Sequence, residues 1–160
     1  MGLTAETFAV RISRGNKAED AFVEHMKSKY GLDVARVSQH ESRPSNKLLR
    51  HFPDMFIVAF GVLVQVKDGL QSGRWKHVIA EVESIKACQE LYGQGRRVWV
   101  VWEYPGGSWH GNYIQNLYFD GHISLASRDK GSGTPAYKIR KTSLQPLDEL
   151  VNKREQPRLF

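Results

Sequence analysis

One stretch constrains this chain more than any other: Phe52-Pro53-Asp54-Met55-Phe56-Ile57-Val58-Ala59-Phe60-Gly61-Val62-Leu63-Val64-Gln65-Val66-Lys67-Asp68. It reads as two apolar strands about a turn at Phe60-Gly61. Within it only Asp54, Gln65 and Lys67 are polar before the closing Asp68. An even-numbered turn with Ala59 opposite Val62 sets Asp54 against Lys67 and diagonal to Gln65. Side chains alternate faces along a strand, so all three then share one face. An odd-numbered turn would send Asp54 to the other side. A carboxylate, an amide and an ammonium gathered on an apolar hairpin cost stability, and such a cost points to a use.

Divalent-metal chemistry is one use. Asp54 and the Gln65 carbonyl are hard oxygen donors suited to magnesium, and the Val66 backbone carbonyl adds another. Lys67 would then orient a water or neutralise charge on a phosphate. The same spacing also fits a structural Asp54–Lys67 cross-strand pair at a sheet end, with Gln65 exposed. Spacing alone leaves both open.

The other elements follow from periodicity and punctuation. Gly2 to Arg14 alternates loosely and suggests an edge strand or an ordered arm. Lys17–Tyr30 is expected as a helix ended by Gly31, with Ala18, Phe22, Met26 and Tyr30 facing inward. Glu19 lies on the side of Phe22, Val23 and Met26, either at the rim of the buried stripe or as a charge favouring the first turn. Leu32–Gln39 reads as a strand. His40 to Phe52 is a polar connection whose Arg43, Lys47, Arg50 and His51 suit either phosphate contacts or a solvated loop. Arg74–Tyr92 matches a helix through Val78, Val82, Ile85 and Leu91. Arg97–Tyr104 is apolar on both faces, as a covered central strand is. Ser108–Phe119 reads as a return strand, and His122–Ser127 and Ala136–Arg140 as short strands around an Arg128–Pro135 loop. Leu144–Arg154 closes as a helix, with Ser143 as N-cap and Pro146 in its first turn.

The order helix, strand, strand, strand, helix, strand predicts an α/β chain with a central mixed sheet flanked by helices. Its 160 residues, 41% of them apolar, suit one domain with a real core. Formal net charge is +6 with a pI near 9.5, which favours an anionic partner, nucleic acid before membrane. The single cysteine, Cys88, excludes an internal disulfide and suits a reducing compartment. With no apolar leader or membrane-spanning run, an intracellular soluble protein is expected. His51, His77 and His110 have no partner at diagnostic spacing, and no zinc pattern, phosphate-binding glycine loop or serine-hydrolase elbow occurs.

These residues in this order resemble the PD-(D/E)xK nuclease superfamily, and within it the archaeal-type Holliday junction resolvases. The likeness rests on Arg14-Gly15-Asn16-Lys17-Ala18-Glu19, the Gly31-Leu32 helix end, Arg36, Pro53-Asp54 and Gln65-Val66-Lys67. It continues through the Arg74–Tyr92 segment, Val98–Trp102 and Trp109. It covers roughly residues 11–119 as the core and leaves 120–160 as a C-terminal extension. The family usually has glutamate where Gln65 stands, although Gln-x-Lys variants occur among restriction enzymes resembling the Mrr type. An amide keeps an oxygen ligand but gives up one negative charge.

The resemblance implies a metal-dependent endodeoxyribonuclease, most like a resolvase acting on branched DNA. Glu19, Asp54, Gln65 and Val66 would hold Mg2+, with Mn2+ as a substitute, and Glu19, Asp54, Gln65 and Lys67 would form the catalytic set. Arg14, Lys17, Arg36, Arg43, Lys47, Arg50, Arg74 and Lys76 would contact the DNA backbone. A resolvase-like chain would be a homodimer or higher oligomer, with Val98–Trp102 and the Trp109 region as candidate interface. Two alternatives stand beside it: a sequence-specific restriction or homing-type endonuclease on the same fold, and a DNA-binding module whose catalysis is weakened at Gln65.

Overall fold

The structure is a computed structural model, which describes residues 3–37, 52–68, 76–125 and 134–153, with side chains in the first helix from Lys17 onward. Helix α1 spans Leu3–Tyr30. The expected edge strand or arm at Gly2–Arg14 is therefore overturned from Leu3 onward. One helix runs through Gly15-Asn16, since an interior glycine costs a helix only about 1 kcal/mol. Its C-terminus is as expected: Gly31 takes φ of 66°, its N–H reaches the Lys27 carbonyl, and the Leu32 N–H reaches that of Met26.

Strands β1 (Val34–Arg36), β2 (Met55–Ile57) and β3 (Val62–Asp68) are followed by β4 (His77–Glu81) and helix α2 (Val82–Gly93). Then come β5 (Val98–Glu103), β6 (Trp109–Tyr113), β7 (Phe119–Leu125), β8 (Thr134–Arg140), β9 (Gln145–Pro146) and helix α3 (Leu147–Lys153). The main sheet has the order β1-β2-β3-β5-β6-β9. Its β3–β5 pair is parallel and the remaining pairs are antiparallel, so the central mixed sheet is as expected.

A second sheet, β4-β8-β7, was not anticipated. It corrects the helix expected over Arg74–Tyr92, because within that span His77–Glu81 is a strand. Val78 and Ala80 alternate inward while β8 supplies the backbone partner. The buried indole N–H of Trp102 finds the Ile79 carbonyl at 3.1 Å, which a helical Ile79 would have committed to its own helix. The return strand is shorter than expected and ends in a 3-10 turn at Ile114–Asn116. The last helix begins at Leu147, because Gln145-Pro146 pairs with β6. Ser143 is no N-cap, since its hydroxyl donates to the Arg140 carbonyl and accepts the Tyr118 N–H.

Two cores lie on opposite faces of the main sheet. Ala18, Phe22 and Met26 of α1 pack with Leu147, Leu150 and Val151 of α3 over Met55, Ile57, Val64, Val66, Trp99 and Val101. On the other face, Ile85, Cys88 and Leu91 of α2 pack with Val78, Ala80 and Ile139 over Leu63, Val98, Val100 and Trp102. Val98–Trp102 is 0% exposed throughout and Trp109 is also buried. These residues form the chain's own interior, so they are not the oligomer interface expected of them.

Candidate active site

The β2–β3 hairpin closes with a four-residue turn, Val58–Gly61, between Ile57 and Val62, which are paired. Gly61 adopts φ of 65°, and the N–H groups of both Phe60 and Gly61 reach the Ile57 carbonyl. The turn is even-numbered, as the sequence requires for Asp54, Gln65 and Lys67 to share a face. The register differs by two from the expected one: Met55 pairs with Val64, so the next position outward sets Asp54 against Gln65 rather than Lys67. The Gln65 amide Nε2 donates to Asp54 Oδ2 at 2.8 Å.

The alternation of β3 assigns the face. Val62, Val64 and Val66 belong to the α1 core and Leu63 to the α2 core, so Gln65 and Lys67 project toward α2. There the Lys67 ammonium donates to Ser84 Oγ at 3.2 Å, from the first turn of α2. Cys88, one turn further on, is fully buried, and burial pushes its thiol up to about 12. Lys67 opposes that shift and Asp54 adds to it, so both charges act at this point of the helix. Such a thiol is inert, as expected of a buried cysteine.

Gln65 is only 6% exposed, while Asp54 and Lys67 are half-buried. Pairing of β2 with β3 ends at Met55–Val64, whereas β5 follows β3 as far as Asp68. Among the described residues, Gln65, Val66 and Lys67 thus have a strand partner on the β5 side alone. The polar groups cluster where the two strands part.

Glu19 arrives differently. It is 7% exposed, and its carboxylate accepts from Arg36 Nη1 at 3.2 Å. Arg36 pairs with Met55 and so belongs on the α1 face, and its other terminal nitrogen is bonded to Asp20. The Val37 N–H reaches the Asp54 carbonyl at 2.9 Å, so Glu19 and Arg36 stand at the same end of β1–β2 as Asp54. The Asp54–Gln65 bond and the Glu19–Arg36 pair are nevertheless separate contacts, made from opposite faces. Arg36, engaged by two carboxylates, offers a phosphate less than an unpaired arginine would.

Of the other proposed DNA contacts, Lys17 and Lys76 are exposed. Arg14 lies in α1, but its side chain, like Arg43, Lys47, Arg50 and Arg74, falls outside the described residues, as do His51 and residues 128–133 of the expected Arg128–Pro135 loop, whose Thr134 and Pro135 belong to β8. Sequence reasoning missed Ser84. A serine two residues inside a helix is an unremarkable polar position until β3 is packed beneath it.

The donor set can be tested against a divalent ion. Among the described residues no group of three acidic, histidine or cysteine side chains converges. What does converge is a carboxylate and an amide. If the amide turns over, Oε1 opposes Oδ2, a pairing that only a proton or a cation stabilises. Only in that turned-over arrangement would the two residues each offer a hard cation an oxygen, with one negative charge fewer than an acidic residue at position 65 would give.

No protein-family model matches the sequence, and no curated protein matches it. Among solved structures it is similar to the Archaeoglobus fulgidus Hjc, a Holliday junction resolvase from an archaeal hyperthermophile. The identity is 15% and the TM-score 0.51, covering 87% of this chain and 96% of that one. The likeness to the archaeal-type resolvases therefore holds for the fold. Among the described residues, no helix is long and apolar enough to cross a membrane.

Proposed function

We propose that this chain is a metal-dependent endonuclease that hydrolyses phosphodiesters in branched DNA. The observation that carries the reading is the convergence of Asp54, Gln65 and Lys67 on one face, where β2 and β3 part, in a fold shared with a junction resolvase. Asp54, the Gln65 Oε1 and the Val66 carbonyl would hold the ion, and Glu19, at the same end of β1–β2, would be a further ligand once released from Arg36. Magnesium bound there would supply Lewis-acid charge against the phosphate and make a water more acidic. Lys67, held by Ser84, places an ammonium where charge develops on the phosphate. The net charge of +6 draws the polyanion, and backbone contacts give position without sequence. A two-fold dimer would set two such sites on opposing strands.

One observation favours a second reading, a DNA-binding module that does not cut. The Asp54 carboxylate already has the Gln65 amide as donor, and Glu19 already has Arg36. Incubating the protein with a labelled four-way junction, matched linear duplex and Mg2+ or Mn2+ separates the readings. Junction cutting supports the resolvase-like enzyme, and fixed cuts in linear duplex support a restriction-type one. Binding without cleavage under either metal supports the module.

A further inference from the structure

The outer face of the small sheet carries a feature that the site above does not use. Phe119 and Ile139 pair and both pack inward, as does Val78, which pairs with Ile139. Their neighbours Tyr118, Arg140, Lys138 and His77 therefore face outward. Tyr118 is 52% exposed, yet its backbone is fixed on both sides. Its N–H donates to Ser143 Oγ at 3.1 Å and its carbonyl accepts the Arg140 N–H at 3.0 Å.

The ring is fixed as well. The Arg140 guanidinium lies 4.2 Å from its centroid, held there by two bonds to Asp120 at 3.0 and 3.2 Å. His77 Nε2 lies 2.8 Å from the same carboxylate. One aromatic face is thus covered by a pinned cation while much of the ring stays in solvent. Lys138 lies on this face two residues before Arg140. At its rim, the Lys141 N–H reaches the Lys76 carbonyl, which sets the exposed Lys76 beside this face, while the Lys141 ammonium itself lies 5.1 Å from the Tyr104 ring centroid. An exposed aromatic with its rotamer already set, rimmed by lysines, costs little ordering when a base stacks on it.

We infer that Tyr118 is a stacking platform for an unpaired nucleotide, with Lys138 and Lys76 contacting the adjoining phosphates. The inference rests on the DNA reading above and deepens it: the preferred substrate carries a single-stranded segment beside its duplex. Charge complementarity selects nucleic acid as occupant. Asp120, the acid beside Arg140 on this face, is already bonded to Arg140 and His77.

The test is fluorescence anisotropy of a labelled oligothymidylate and a labelled duplex, with wild type, Tyr118→Ala and Tyr118→Phe. Alanine should weaken single-strand binding by roughly 5- to 100-fold, the usual worth of one stacked base. Phenylalanine should stay within about twofold of wild type, and duplex affinity should not change. Lys138→Gln should lower the salt slope of single-strand binding by about 0.7. Equal single-strand affinity in wild type and the alanine variant overturns the platform. So does a phenylalanine variant as weak as alanine, or an equal loss of duplex and single-strand binding in the alanine variant. Cleavage of the junction is scored separately, so an inert catalytic site and an absent platform give different results.

Discussion

Gln65 and Asp54 are joined across the parting strands β2 and β3 by one hydrogen bond of 2.8 Å, amide to carboxylate. The bond stabilises the pair and also occupies the Asp54 oxygen that a metal would need. Gln65→Glu tests that dual role. Two carboxylates would then face each other in a site where Gln65 is 6% exposed, and like charges so placed raise one another's pKa. Without divalent ion the variant should lose about 1–3 kcal/mol of stability, read as a lower Tm at neutral pH. Magnesium should restore Tm in the variant more than in wild type. A variant whose Tm ignores magnesium would show that no ion binds between these residues.

Ser84 holds Lys67 by a 3.2 Å bond from the first turn of α2. Ser84→Ala should leave DNA affinity unchanged and stability within about 1 kcal/mol, the usual net worth of one hydrogen bond. If Lys67 meets the phosphate only as charge develops, kcat should fall by roughly tenfold with KM unmoved. Single-turnover kinetics on a cleaved substrate read this directly, and a change confined to KM would assign Ser84 to binding.

The sheet has a point of close approach at Gly111, which pairs with Val101. A Cβ there would collide with the Val100 carbonyl oxygen and stand 2.7 Å from Val101 Cγ1. The obstacle includes backbone of the central strand, so it cannot rotate away. Gly111→Ala should cost about 3 kcal/mol or more, measured by urea unfolding. A cost below about 1 kcal/mol would mean that β6 can shift from β5 freely.

Asp120 gives the fold an acid-sensitive element. The hydrogen bond from Arg140, and then that from His77, hold its carboxyl down at about 2, against about 3.9 for a free aspartate. The unfolded chain therefore binds more protons between these values. The contribution is whole above pH 4 and is lost as pH falls from about 4 toward 2. Asp120→Asn should flatten that part of the stability–pH curve. An unaltered acid limb would contradict the pairing.

Much of the fold can be read from local pattern, and its departures have specific causes. The shared face of Asp54, Gln65 and Lys67 depends only on the parity of the turn, which an apolar hairpin makes legible. The pairing within that face depends on turn length, and Val58–Gly61 takes four residues where two were expected, which moves Asp54 from Lys67 to Gln65. Val78 and Val82 sit at helical spacing, but β8, some sixty residues away in the chain, draws His77–Glu81 into a sheet. No local window contains that partner. Glu19 was legible only as an acid at the rim of the buried stripe or in a first helical turn, whereas its burial and its bond to Arg36 depend on how the β1 edge meets α1.

The account turns on Asp54, and the most direct measurement is cleavage of a labelled four-way junction by wild type and Asp54→Ala in magnesium. The two proteins should bind the junction within a fewfold of each other, while the variant cuts at least about 100-fold more slowly, the loss typical of removing one strong transition-state contact. An Asp54→Ala protein that cuts as fast as wild type would contradict the assigned site.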